Sequence, residues 1–216
     1  MIVEILEAVY VTLSVLIIAY IVRHFVFAFT VLKNSDSSEK TFKVENEDYR
    51  PVTSVLIPAC DEERVIGRIL QRMTELTYPK DKLQIIIIND ASKDRTGEIA
   101  DQFSKSYPYI EVMHRNEIDG RRGKAAALNA AIPHTRGEIV LFFDSDYYPQ
   151  KDILEKLVSA FADPEVGAVQ GRVTVLNEPK NLVTRLVSLE RIGGYRVDQQ
   201  ARESLGLIPQ FGGTMP

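Results

Sequence analysis

The longest hydrophobic stretch of the chain lies at its N-terminus. Residues 8–22 carry no charge, Arg23 interrupts the run, and residues 25–32 resume it. As a single helix, residues 8–32 would extend roughly 37 Å at about 1.5 Å per residue, enough to cross the ~30 Å hydrocarbon core of a bilayer with some tilt. The pattern predicts a transmembrane helix within residues 1–33, in which Arg23 reaches toward a membrane surface.

The charges that flank this helix predict its orientation. Glu4 and Glu7, with no basic residue, precede the apolar run, which argues against a cleaved signal peptide. A buried helix of a globular core is the remaining alternative. Lys33, Lys40 and Lys43 follow the run. By the positive-inside rule we therefore predict a plasma-membrane protein with a single N-terminal span and a cytoplasmic domain.

The pattern changes after the predicted span. Residues 34–50 are polar and charged with little apolar periodicity, so they are interpreted as a linker. Beyond them, short aliphatic runs alternate with segments of helical spacing, which predicts an α/β domain of residues 51–216 with a parallel sheet. The predicted strands cover 52–57, 83–88, 110–113, 138–143 and 166–173, and the predicted helices cover 62–73, 94–106, 124–131 and 182–192.

Composition excludes several classes of protein. The chain has 26 basic and 30 acidic residues for a net charge of -4, so we expect no nucleic-acid partner, which would favour a basic excess. The single cysteine, Cys60, excludes a disulfide within the chain and suits a reducing compartment. His24, His114 and His134 are scattered, so the sequence predicts no Cys/His zinc site.

Three predicted strands end in acidic or amide side chains, in segments 58–62, 89–92 and 144–146. Ligands of parallel α/β sheets bind outside the carboxyl ends of the strands, so these segments are expected to meet. In an extended backbone, residues i and i+2 point to one side, which would direct Asp144 and Asp146 at one object. A Mg2+ or Mn2+ ion carrying a diphosphate fits such oxygen ligands, whereas an ordinary polar turn is the alternative.

A basic segment could complement a diphosphate. Arg121, Arg122 and Lys124 introduce a predicted helix, whose N-terminus favours anions, although a solvated basic turn would look the same. Around the second strand end, Ser92, Asp94 and Thr96 are interpreted as caps and turn formers. A nicotinamide-dinucleotide domain would need G-x-G-x-x-G directly after the first strand, and the chain has none there.

Taken in order, these motifs resemble those of inverting family 2 glycosyltransferases of the GT-A fold. The similarity is to the membrane-bound polysaccharide synthases of cellulose, hyaluronan, chitin and poly-N-acetylglucosamine. Cys60 and Asp61 replace the usual Tyr and Asn, and Asn89 replaces the first of two acids. The matching segments are 58–62 for P-x-Y-N-E, 89–96 for D-D-x-S-x-D-x-T, 123–129 for G-K-x-x-A-L-N, 144–146 for D-x-D and 170–172 for Q-x-R.

The resemblance implies a GT-A (Rossmann-like) domain that binds a nucleotide-diphospho-sugar, UDP-GlcNAc or UDP-glucose, with a divalent cation. Asp146 would be the direct metal ligand, Asp144 would lie near the ribose and metal, and Asp90 would accept a hydrogen bond from uracil. Gln170 and Arg172 would face the acceptor or product. The donor-binding residues implied in this way are Pro58, Ala59, Glu62, Asp90, Lys124, Asn129, Asp144, Ser145 and Asp146.

The same resemblance implies transfer to a growing polysaccharide or a glycolipid acceptor at the membrane. In the family the general base lies in a T-E-D-like segment, which we do not find, so the base is expected beyond Pro216 and residues 51–216 are interpreted as a C-terminally incomplete donor half. Two alternatives remain open: a nucleotide-sugar-binding fragment without turnover, and a dolichol-phosphate sugar transferase.

Overall fold

A computed structural model describes residues 2–33, 49–116, 118, 120, 123–171, 173–176 and 180–208. Most of the predicted linker, residues 34–48, and Arg172 therefore lie outside the described residues. The chain divides into two compact units. One lies within residues 44–169, and the other combines residues of 1–43 with residues of 170–216.

Strands and helices alternate through the first unit, and its four strands form one parallel sheet in the order β3-β2-β1-β4. The predicted parallel α/β fold is confirmed. The regular elements along the chain are α1 (Ile2–Lys33), β1 (Thr53–Ala59), α2 (Ile66–Thr74), β2 (Leu83–Asp90), α3 (Thr96–Ser106), β3 (Ile110–Arg115), α4 (Lys124–Ala131), β4 (Ile139–Phe142), α5 (Ile153–Val158), α6 (Leu182–Ile192) and α7 (Gln200–Ser204).

The central strands are buried on both faces, which explains their continuous aliphatic sequences. Alternate side chains of β1 and β2 contribute to a larger core beneath α2, which inserts Ile69, Leu70 and Met73. The opposite face is covered by α4 through Ala127 and Ala131, both essentially inaccessible to solvent. Because alanine is small, α4 can lie close to the sheet, and its first residue is placed near the carboxyl ends of the strands.

The strand predicted at residues 166–173 is wrong. Residues 166–171 and 173 form neither helix nor strand in the described chain. A buried strand needs a neighbouring strand for its backbone groups and an apolar environment for its side chains. Here Val166 and Val169 are only half-buried, and Gly167 is exposed. The valines indicated a strand, but within the described residues no strand pairs with this segment, and its side chains are not buried.

A buried polar network fixes the segment that connects α4 to β4. Ser54 donates to Gln84 at 2.7 Å and accepts a hydrogen bond from the Gly137 backbone N–H at 2.8 Å. Gln84 also accepts from the Arg136 N–H at 2.8 Å and donates to the carbonyl oxygen of His134 at 3.1 Å. Ser54 and Gln84 are almost fully buried, so their polar groups are satisfied by this connection rather than by water.

We expect Gly137→Ala to lower the free energy of unfolding by about 1–3 kcal/mol, as overpacking does elsewhere. An added Cβ would collide with the backbone nitrogen of Ser54 and approach the carbonyl oxygen of Ile139 to 2.8 Å, and neither group can rotate away. Gly167→Ala is the control, because a Cβ there meets nothing within 4 Å. Urea unfolding measures both variants, and equal losses would contradict the argument.

The second unit contains α1, α6 and α7, with a π-helical segment (Gly193–Gln199) between the last two. Helix α1 is long and apolar enough to cross a membrane. Arg23, which interrupts its apolar sequence, lies 3.7 Å from the carboxylate of Asp198 and packs over the ring of Phe27 at 5.2 Å. Helix α6 matches its predicted extent and begins with a reciprocal capping box between Asn181 and Thr184.

Candidate active site

The loops that follow β1 and β2 are joined by direct hydrogen bonds. Each of the three alternate polar side chains after β2, Ser92, Asp94 and Thr96, accepts a hydrogen bond from one backbone N–H group of the facing loop. These bonds agree with the prediction that these side chains form turns. Three consecutive N–H groups donate across the gap: Asp61 to Ser92 at 3.1 Å, Glu62 to Thr96 at 2.7 Å and Glu63 to Asp94 at 3.0 Å.

The bonds also run in the opposite direction. The N–H of Lys93 donates to the Asp61 carboxylate at 2.6 Å, and the N–H of Arg95 donates to Glu63 at 3.2 Å. Asp61 and Ala91 both adopt positive φ angles, 58° and 54°. For alanine this conformation costs roughly 1–2 kcal/mol, so the surrounding bonds must hold it in place. The two loops therefore form one interlocked support for the strand ends.

Thr96→Val should lower the free energy of unfolding by about 1–3 kcal/mol, because it removes the acceptor for a loop N–H in a fully buried position. The same hydroxyl also donates to Asp94. Thr74→Val is a matched control, since the Thr74 hydroxyl bonds to the carbonyl of its own helix and is exposed. Thermal unfolding of both variants tests this, and a loss confined to Thr74→Val would refute it.

Asn89, where the family pattern has an acid, uses both halves of its amide. Its oxygen accepts from the Ser92 N–H at 3.3 Å, and its nitrogen lies 3.0 Å from Nδ1 of His114. The other ring nitrogen of His114 is 2.9 Å from Asp101. When His114 donates through Nε2 to the Asp101 carboxylate, Nδ1 is left to accept, which the amide of Asn89 can satisfy and a carboxylate could not.

Asp90, which was predicted to bind the nucleobase, already forms an ion pair with Arg115. Its carboxylate accepts from Arg115 at 2.5 Å, and both side chains are more than nine-tenths buried. Asp90 and Arg115 stand opposite each other in the register of β2 and β3. Any group that approaches Asp90 therefore meets a neutralised pair rather than an isolated carboxylate.

The predicted geometry of Asp144 and Asp146 is wrong in one respect. Both follow the end of β4 and lie in a turn, closed by a hydrogen bond from the Tyr147 N–H to the carbonyl oxygen of Asp144 at 3.1 Å, and not in extended backbone. We call residues 144–146 the carboxylate turn. Asp144 is half-buried and forms an ion pair with Lys124 of α4, whereas the Asp146 side chain is exposed. The turn thus presents two carboxylates in different environments.

Glu62 shows that the acidic groups converge. Its pKa is raised first by burial, and then by repulsion from Asp146, Asp94, Asp144 and Asp61. Repulsion of this kind requires the carboxylates of the first loop and the carboxylate turn to share one region. The ends of β1 and β4 therefore create a local excess of negative charge.

A divalent cation fits this region through the chemistry of its donors. Among the described residues, no group of three or more acidic, His or Cys side chains could enclose a metal. Mg2+ and Mn2+ do not need such a cage, because they commonly bind one or two carboxylates together with substrate phosphates. Within the described part of the chain the Asp146 carboxylate has no hydrogen-bond or ion-pair partner, which suits a metal ligand. Lys124 already satisfies one oxygen of Asp144.

The other predicted donor residues lie in varied environments. Ala59 and Ser145 are buried, Pro58 is half-buried, and Asn129 is exposed on α4. Gln170 is exposed and belongs to the other compact unit. The roles predicted for Gln170 and for residue 172 stay predictions.

An open depression of about 550 Å3 lies beside the Asp90 pair rather than at the carboxylate turn. Arg115 contributes to both the depression and the pair. Because its lining includes none of the three residues of the carboxylate turn, this volume does not coincide with the predicted metal position. It is lined by Met113, His114, Arg115, Asn116, Ala130 and His134.

Comparison with known families explains why these motifs occur together. The model of the family described as "Glycosyl transferase family 2" matches residues 54–213, which is most of the chain. The chain belongs to glycosyl transferase family 2. The order of the sequence motifs, the parallel sheet and the acidic strand ends of this family 2 domain agree with that membership. The expected GT-A fold is confirmed.

Three relatives illustrate the similarity. The chain is 40% identical over 149 residues to "Probable glycosyltransferase YdaM" of Bacillus subtilis, covering 68% of this chain and 36% of the relative. It is 40% identical over 135 residues to beta-monoglucosyldiacylglycerol synthase of Synechocystis, covering 62% and 28%. A mannosyltransferase from Pyrobaculum calidifontis, solved with GDP-Man and Mn2+, superposes with a TM-score of 0.58 at 28% identity, covering 89% of this chain and 58% of that one.

Two arginines of the family 2 domain lie at the site but were not predicted from the sequence. Arg115 ends β3 and pairs with Asp90, while Arg68 of α2 donates to the backbone carbonyl oxygen of Asp146 at 2.8 Å. Neither belongs to a motif. The register between β2 and β3 could have suggested the first, but Arg68 is 78 residues from its partner and gives no local signal.

Proposed function

We propose that this family 2 domain binds a nucleotide-diphospho-sugar with a divalent cation and transfers the sugar with inversion of configuration. The carboxylate turn beside Lys124 is the observation that carries the proposal. It combines an exposed carboxylate, a carboxylate held by a lysine, and a helix N-terminus at the carboxyl edge of a parallel sheet. This combination suits a cation and a diphosphate bound side by side.

The residues of the turn would act on the leaving group. Breaking the bond between the anomeric carbon and the diphosphate leaves negative charge on the diphosphate. A bound divalent cation supplies positive charge there. Asp146 and Asp144 would hold that cation, while Lys124 adds a point charge at the start of α4, where the helix dipole also favours anions.

We propose that the nucleoside of the donor lies near the carboxyl end of β2. Asp90 would accept from the base while Arg115 fixes its orientation, and Glu62 and Asn129 would line the same site. Ala59 and Ser145 are buried, and Pro58 is half-buried in β1, so we assign these three to shaping the site by packing and backbone groups. The proposed donor is UDP-glucose or UDP-GlcNAc.

A membrane acceptor is supported by two observations. Helix α1 can span a bilayer, and one relative is named as a synthase of a glucosyl diacylglycerol. We propose a glycolipid acceptor presented at the cytoplasmic face of the plasma membrane. The polysaccharide-synthase branch is a second candidate, supported by the Q-x-R sequence of residues 170–172.

No general base is assigned among the described residues. We propose that residues 51–216 form the donor half of the catalytic domain, and that a segment outside the described part removes the proton from the acceptor hydroxyl. The chain spans about a third of the length of the curated relatives it matches. Activity of the whole protein is therefore tested separately from donor binding.

Calorimetric titration of the full chain in detergent with UDP, GDP and NADH, each with Mn2+ or with EDTA, tests the donor site. We expect saturable binding of UDP that requires Mn2+, weaker binding of GDP and none of NADH. In parallel, transfer from radiolabelled UDP-glucose and UDP-GlcNAc is measured in vesicles with and without diacylglycerol.

Each outcome separates the candidates. Transfer that depends on diacylglycerol supports a lipid acceptor at the membrane, with a glycolipid as the product, and a high-molecular-weight product supports a polysaccharide. Mn2+-dependent binding without transfer supports a donor-binding fragment. Absence of nucleotide binding refutes the proposal, and saturable NADH binding would favour an oxidoreductase.

A further inference from the structure

Helix α2 presents two arginines beside the segment that follows β4. Arg68 and Arg72 are four residues apart and therefore lie on one face of the helix. The core-facing residues of α2 are at other positions of the helix, with Ile69, Leu70 and Met73 fully buried. The arginines are thus available to contact the chain outside the core.

Helix α2 and the loop after it contact residues 144–151 at three points. Arg68 Nη2 donates to the carbonyl oxygen of Asp146 at 2.8 Å. The guanidinium of Arg72 lies 3.9 Å above the ring of Tyr148. Just after α2, the N–H of Thr77 donates to the carbonyl oxygen of Lys151 at 3.0 Å. The segment that carries the carboxylate turn is therefore held by α2 and by the loop that follows it.

Arg68 contacts the backbone of Asp146 and not its carboxylate. A guanidinium so near would ordinarily form an ion pair with the carboxylate, and that pair would compete with a cation. The observed hydrogen bond instead fixes the peptide group and leaves the side chain exposed. On the other side of the turn, Lys124 holds Asp144.

We propose that Arg68 is a positioning residue, which fixes the backbone of Asp146 so that its carboxylate is directed toward a divalent cation. This inference rests on the proposed metal-dependent donor site. Arg72 supports it by packing on Tyr148 two residues later. Neither arginine contacts a reacting atom in this assignment.

Charge and position predict opposite effects for Arg68, which makes the proposal testable. If Arg68 acted only through its positive charge, removing it would strengthen cation binding, because a repulsive charge would be lost. If it positions Asp146, removing it would weaken cation binding. Loss of groups that orient metal ligands typically costs about 10–100-fold in metal affinity.

The experiment measures Mn2+ affinity by electron paramagnetic resonance, using the full chain in detergent with saturating UDP. The variants are Arg68→Met, Arg68→Lys and the control Arg64→Met. Arg64 is exposed, carries the same charge and makes no hydrogen bond or ion pair within the described part of the chain. Thermal unfolding of every variant is measured in parallel.

We expect Arg68→Met to raise the Mn2+ dissociation constant about tenfold, Arg68→Lys to recover most of the affinity, and Arg64→Met to leave it unchanged or slightly tighter. The unfolding temperature should stay close to wild type, since Arg68 is exposed. Unchanged or tighter Mn2+ binding in Arg68→Met overturns the positioning role and leaves the proposed function standing. A wild-type chain that takes up no Mn2+ overturns both.

Discussion

Asp146→Asn is expected to weaken Mn2+-dependent UDP binding by about a hundredfold or more. The substitution preserves shape but removes the exposed carboxylate that is the proposed direct ligand. Groups that merely orient metal ligands already contribute 10–100-fold to affinity, so a ligand should contribute at least as much. Calorimetric titration with UDP at fixed Mn2+ measures the effect.

Asp81→Asn is the matched control, because Asp81 is an exposed aspartate in the short helical turn before β2. It removes the same charge outside the carboxylate region and should leave UDP binding near wild type. Equal losses in the two variants would show that net charge matters and the turn does not. Retained binding in Asp146→Asn would remove this residue from the metal site.

Asp146→Asn has a second expected effect, which is on the pKa of Glu62. Repulsion by Asp146 is the largest charge contribution that raises the pKa of Glu62, after burial. A carboxyl group with a raised pKa binds its proton more tightly in the folded state, so stability falls as pH rises from about 4.5 through the raised value. Asp146→Asn should lower the pKa of Glu62 and make that decline shallower, as unfolding at a series of pH values will show.

Arg115→Met should destabilise the fold by about 3–5 kcal/mol. It leaves the Asp90 carboxylate buried without its partner, and such uncompensated charges are the costly result of breaking a buried ion pair. The double variant Asp90→Asn/Arg115→Met should recover part of the loss, since no isolated charge remains. Urea unfolding of the single and double variants measures the coupling.

An exposed pair in the same unit serves as the control. Arg136 and Glu111 lie 2.7 Å apart, with 65% and 42% of their side chains exposed. Surface ion pairs contribute about 0–1 kcal/mol, so Arg136→Met should change stability little. If Arg115→Met and Arg136→Met had equal effects, burial of the Asp90 pair would not be the source of its importance.

The sequence was sufficient to predict the four-stranded parallel sheet and the helices around it, because their signals are local. Continuous aliphatic runs predicted β1 and β2, and helical spacing predicted α2 and α4. Local signals failed where the structure of a segment depends on its contacts with other parts of the chain. The segment with Val166 and Val169 resembles a strand, but no strand of the described chain pairs with it. Asp144 and Asp146 were expected to be extended, but the chain turns directly after β4.

The candidate site shows the same limit. Its carboxylates and Lys124 could be identified from motifs, because each follows a strand or begins a helix. Arg115 belongs to no motif, and strand register would have suggested it only if β2 and β3 had each been predicted two residues longer, to the point where Asp90 and Arg115 pair. Arg68 depends on how α2 packs beside a segment far along the chain. Such contacts exist only in the assembled fold.

The interlocked loops after β1 and β2 have a consequence for protein engineering. Residues 61–63 and 92–96 satisfy one another's backbone groups in both directions, so neither loop can be replaced alone without leaving donors unpaired. A chimera that takes one loop from a relative should be poorly expressed, and one that takes both should fold. The two segments are, in effect, a single exchangeable cassette.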